Sequence, residues 1–152
     1  MTTWKIHEVT LACGLTADEL SQWISRGLFR PSAPCRRGLW RRFDWRDLAC
    51  LATMSDLRKN SLSVNAAARI VVELRDALTK MEEIRETSGL FFFAADLLGT
   101  DPGPYTGLAR MSELHRVLMS GSVSVIIVDI AKAYHNAVTA ISLNPMDDEA
   151  AQ

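Results

Sequence analysis

A chain of 152 residues with 48% apolar content can bury a core, as one domain or two small ones, and is too apolar for a disordered tail. Its net charge of −1 conceals an uneven split: residues 1–60 carry ten Lys/Arg against six Asp/Glu, residues 61–152 seven against twelve. No apolar run approaches the roughly eighteen residues of a membrane span, and Met1–Glu8 lacks the basic and apolar regions of a secretion signal, so a cytoplasmic location away from membranes is expected.

From the N-terminus, Ile6, Val9, Leu11 and Ala12 make a helical apolar stripe, and Gly14 suits the left-handed residue that ends a helix. A second helix starts almost at once. Thr16 with Glu19 three residues later has the spacing of a capping box, and Asp18 and Glu19 favour the positive end of the helix dipole. Leu20, Trp23 and Ile24 form its apolar face, Gly27 stops it, and Pro31 and Pro34 forbid further helix. Two short helices joined by a tight glycine turn are the pattern of a helix-turn-helix.

Between Arg26 and Arg46 lie seven arginines, Arg26, Arg30, Arg36, Arg37, Arg41, Arg42 and Arg46, opposed only by Asp44. Arginine binds phosphate through a planar fork and stacks on flat rings, so a run of one sign in a nearly neutral chain points to a polyanion. Within it, Leu39–Phe43 suits a short strand that Leu28–Arg30 would pair with, making a two-stranded wing. Trp23 and Trp45 suit the core, whereas Trp40 fits core or ligand equally. Asp44 is placed to cap a third helix, Trp45 to about Asn60, whose stripe of Leu48, Leu51, Ala52, Ser55 and Leu57 packs on the first two.

Cys13, Cys35 and Cys50 are odd in number and have no CxxC pair, which disfavours a disulfide framework or a closed zinc site. Cys13 and Cys50 read as core residues. Cys35, among arginines, is the candidate for redox chemistry. No nucleophile elbow, phosphate loop, paired carboxylates or metal cluster occurs, so neither enzymatic activity nor a cofactor or metal is expected.

Ser63 is placed to cap a long helix over residues 63–86, in which Val64, Ala67, Val71, Leu74, Leu78 and Met81 are spaced 3, 4, 3, 4 and 3. These are coiled-coil positions and predict a dimer seam; Ile70, Val72 and Ile84 widen the stripe enough for packing within the chain instead. Gly89 ends this segment. Leu90–Ala95 and Ser122–Asp129 read as strands buried on both faces, separated by a Gly/Pro-rich loop over residues 99–107 and by a helical pattern of Leu108, Met111, Leu114 and Leu118. Ile130–Ser142 reads as a final helix. The β-α-β-α order predicts parallel strands with a right-handed crossover, their edges covered by a second subunit. Asp96 and Asp129 follow the strands and suit helix caps better than ligand sites. His115 and His135 lack partners at ligand spacing.

The run from Ile6 to Pro31, with Cys13-Gly-Leu-Thr16 and Arg26-Gly-Leu-Phe-Arg-Pro31, followed by Gly38-Leu-Trp-Arg-Arg-Phe43 and Asp47-Leu48, resembles the MerR-type winged-helix family over about residues 4–65. The resemblance implies that Ala17–Arg26 enters the major groove of DNA, with Asp18, Ser21 and Gln22 outward, and that Arg41 is the wing arginine, with Trp40 and Phe43 where the family has tyrosines. Ser21 replaces the arginine usual in the recognition helix, and Leu39 is inserted after the wing glycine. Arg26, Arg36, Arg37 and Arg42 are therefore the candidates for the missing phosphate clamp, and Thr16 and Trp23 complete the candidate DNA contacts.

The whole reads as a mainly α protein with a small β component. A winged helix-turn-helix over residues 1–62 precedes a dimerisation or regulatory domain over residues 63–145 and a flexible tail, 146–152. Its expected function is that of a nucleoid-associated, sequence-specific transcriptional regulator, binding double-stranded DNA as a homodimer on a palindromic or repeated site, with RNA polymerase or a recombinase as a further partner. The alternatives are an architectural, excisionase-like factor and an interaction module whose helix-turn-helix is degenerate.

Overall fold

The structure, a computed structural model, describes residues 1–95, 105–119 and 124–145. It is mostly helical, with two small sheets. Strand β1 (Trp4–Lys5) leads into α1 (Ile6–Cys13), which ends at Gly14 with φ +66°. Helix α2 (Ala17–Ser25) opens on the predicted capping box: the Glu19 amide donates to Thr16 Oγ1 at 3.1 Å, and the Thr16 amide donates to Glu19 Oε2 at 2.8 Å. Helix α3 (Trp45–Lys59) opens on a second box, Asp44 with Asp47, and α4 (Val64–Thr79) is capped by Ser63 Oγ, which accepts from the Ala66 amide.

The first sheet departs from the expected wing. Only Arg42–Phe43 is extended (β2), and its partner is β1, with Trp4 opposite Phe43 and Lys5 opposite Arg42, not Leu28–Arg30. Phe29 is instead buried in the core, its amide and that of Leu28 donating to the Trp23 carbonyl at the end of α2. That packing takes residues 28–30 away from the strand they would have joined.

The helix predicted over residues 63–86 stops at Thr79, and a separate 3₁₀ turn spans Ile84–Thr87. Arg46 explains the stop. Its guanidinium, lying 4.7 Å over the Trp45 ring, donates to the Leu78 carbonyl in the last turn of α4 at 3.0 Å and to the Met81 carbonyl just beyond it, holding the end of the helix from α3. The heptad stripe of α4 also has a different role from a dimer seam. Ala67, Val71, Leu74 and Leu78 are buried in this chain's own core, and Val64 and Met81 pack against it, because α3 and the C-terminal sheet lie on that face.

After α4 come β3 (Leu90–Ala95), β4 (Tyr105–Arg110), a 3₁₀ turn at Met111–Glu113, α5 (Leu114–Leu118), β5 (Val125–Asp129) and α6 (Ile130–Leu143). The sheet order is β4-β3-β5 and both pairings are antiparallel, so the parallel crossover is corrected. The missed strand is β4, which lies partly in the stretch read as a loop and partly in the one read as helical. Its Gly107 faces Phe93, whose ring would stand 2.8 Å from an added Cβ. A glycine under a cross-strand aromatic is a strand device that resembles loop composition. The extra strand covers one edge of β3, an edge the sequence assigns to a second subunit. Nor is β5 buried on both faces: its residues are half-buried and Ile127 is exposed. Asp129 caps α6 by accepting from the Lys132 amide at 3.0 Å; Asp96 and the tail lie outside the described residues.

Helix α6 returns to the N-terminal half and packs on α1 and α3. One apolar cluster therefore runs from Trp4, Val9 and Leu20 through Leu48, Met54 and Leu74 to Phe92, Ile130 and Ala137.

Candidate nucleic-acid interface

The outward face of α2 follows from its inward one. Leu20 and Trp23 are buried, which turns Asp18, Ser21, Gln22 and Arg26 to solvent. Trp23 is thereby removed from the candidate contacts: it is 5% exposed, and Arg58 lies over its ring at 5.4 Å while also pairing with Glu19 at 3.9 Å. The Thr16 hydroxyl is exposed, with one lone pair given to the helix cap.

Beside α2 the chain runs through residues 30–41, an arginine loop with no regular element. Arg26, Arg30, Arg36, Arg37 and Arg42 are exposed and Arg41 half-exposed. Among the described residues no carboxylate pairs with any of these six. The seventh, Arg46, is spent on the end of α4 and on Asp44, 3.7 Å away. Gly38 takes φ +82°, and the Leu39 amide donates to the Arg36 carbonyl at 3.0 Å, so the loop turns at residues 36–39. Trp40, open between two readings in the sequence, is 85% exposed, with Leu39 64% exposed beside it.

The root of this loop is fixed by a network with no local sequence signal. Buried Asp47 accepts through Oδ1 from the Ser32 amide at 2.9 Å and from Arg75 at 2.7 Å, and through Oδ2 from the Asp44 amide at 3.0 Å. Arg75 also donates to Ser32 Oγ at 2.8 Å and lies over the Phe29 ring at 5.2 Å. Burial pushes the Asp47 carboxyl upward, against the pull of the Arg75 guanidinium and the Asp44 amide. At the loop's other end Phe43 is fully buried. The loop is thus clamped at its first end to α3 and α4 and at its second to β1, α1 and α3.

Burial holds two of the thiols neutral, pushing Cys13 and Cys50 up to about 12. Cys35 is exposed on the arginine loop. Among the described residues no His, Cys, Asp and Glu gather in a way that would hold a metal ion, and no helix is long and apolar enough to cross a membrane. A cavity of about 270 Å³ lies elsewhere, between α3, β5 and α6, lined in part by Asp56, Asn60, Asp129 and Lys132.

Two short helices at a glycine turn, stacked on a third and flanked by an unpaired basic loop, define the helix-turn-helix class. Residues 4–74 match the family described as MerR HTH family regulatory protein, the family that the sequence resembles over about residues 4–65. No curated protein matches the chain.

Proposed function

We propose that this protein is a transcriptional regulator that binds double-stranded DNA through α2 and the arginine loop. The observation that carries the reading is a set of six arginines, from the end of α2 through the loop of fixed root to β2, that have no acidic partner among the described residues. Phosphate contacts by Arg26, Arg36, Arg37, Arg41 and Arg42 set the position, the loop serving as a wing. Base edges in the major groove are read from α2, where the Gln22 amide can bond adenine with two hydrogen bonds and Asp18 can accept from cytosine.

The protein acts as a homodimer on a palindromic or repeated site, two copies of α2 entering grooves about one helical turn apart. Its subunit contact lies outside the α4 stripe, which the core occupies. RNA polymerase is the further partner in promoter control. A recombinase takes that place if the protein bends DNA as an architectural factor.

Retention of genomic DNA fragments by the intact protein, in gel shifts over a salt series, tests the reading. Binding that weakens steeply with salt is the expected result. No binding at low salt would leave a protein-interaction module, the role that Ser21 in place of an arginine favours.

A further inference from the structure

The tip of the arginine loop carries a chemistry that phosphate binding does not use. Leu39 and Trp40 are consecutive large apolar side chains, 64% and 85% exposed, whereas the other three tryptophans, Trp4, Trp23 and Trp45, are 5–6% exposed. The turn at Arg36–Leu39 is hydrogen bonded, Ser32 is tied to Asp47 and Arg75, and Phe43 is buried three residues beyond Trp40. Holding an indole and an isobutyl group in water has a cost, which a surface with apolar faces relieves.

The four arginines around the tip, Arg36, Arg37, Arg41 and Arg42, select a polyanion as that surface. Phosphates cannot cover an indole face, but sugar rings and the faces of bases can, and apolar wedges entering the minor groove partly unstack base steps. We propose that Leu39 and Trp40 form a wedge that enters the minor groove of duplex DNA, the Trp40 ring lying against bases while the flanking arginines hold the phosphates on either side. The proposal rests on the DNA-binding reading and adds to it a mode of contact and a bend at the wing.

Because Trp40 is the one strongly exposed tryptophan, its fluorescence reports the contact directly. The full-length protein is saturated with duplex DNA fragments that it retains at low salt, and acrylamide quenching is measured before and after. The expected result is loss of the quenchable component on binding. Trp40→Ala should weaken binding by about 10- to 100-fold with an unchanged salt slope, since no counterion release is lost, and Trp40→Phe should recover most of it. DNA bending, read from the mobility of circularly permuted fragments, should fall in Trp40→Ala. If the protein binds DNA while Trp40 stays as quenchable as before, or Trp40→Ala binds and bends like the wild type, the wedge is overturned and the DNA-binding reading stands, leaving the tip as a protein-docking surface. If no DNA binds at all, both are overturned.

Discussion

Asp47 illustrates how much a single side chain determines here. It accepts hydrogen bonds from Asp44, Ser32 and Arg75, and so joins the start of α3, the root of the arginine loop and α4. Removing one member of a buried ion pair leaves the other charge without a partner, and Asp47→Ala should cost about 3–5 kcal/mol of stability. The cost should shrink in the double variant with Arg75→Met, and a thermodynamic cycle from urea unfolding measures that coupling. Additive losses would mean that the pair does not act as a unit.

The cysteines make a second residue-level prediction. Cys13 and Cys50 are buried neutral thiols and Cys35 is exposed, so a thiol reagent should label only Cys35 in the native protein and all three after unfolding. Both buried pKa values lie above their ordinary 9.0, at about 12. The unfolded chain therefore ionises first: the thiols' contribution is intact below pH 9 and is lost as pH rises toward 12. Replacing both by alanine should flatten that part of the alkaline stability profile.

Among the elements, α4 separates what sequence can and cannot show. Its cap at Ser63 and its apolar spacing are local properties and are legible; the partner of the stripe is not, because 3-4 spacing serves a coiled coil and a domain core alike. Leu74→Ala should lower stability by about 2–5 kcal/mol without changing the sedimentation coefficient of the folded protein. Dissociation of a dimer into folded monomers would return the stripe to a subunit interface.

The same contrast runs through the candidate site. Thr16, Glu19 and Gly14 announce α1 and α2 through neighbours three or four residues away, and the arginine density marks the loop from composition alone. The Ser32–Asp47–Arg75 network joins residues 15 to 43 positions apart and has no local signature. Strand β4 hides because Gly107 and its neighbours look like a turn until Phe93 is seen across from them. At the end of α3, Ser61 adopts φ +71°, a left-handed position without a glycine. Ser61→Gly should raise stability by about 1 kcal/mol, measured as the shift in the urea midpoint; a neutral or destabilising change would show that the side chain repays its strain.

At the scale of the whole molecule, α6 packs on α1 and α3, so the C-terminal half supports α1, against which α2 in turn is packed. The acid-rich half supplies Arg75, which ties the root of the basic loop to α4, and among the described residues no carboxylate pairs with the loop's arginines. Affinity should accordingly depend more on the loop than on α2, where Ser21 offers no charge.

The salt dependence of DNA affinity in wild type, Arg37→Ala, Arg41→Ala and the double variant tests this account most directly. Each phosphate contact contributes roughly 0.9 to the slope of log affinity against log salt concentration. The account predicts that each single variant binds all sequences more weakly and has a slope shallower by about one such step, and that the double variant loses about two. Slopes equal to that of the wild type in all three would contradict it.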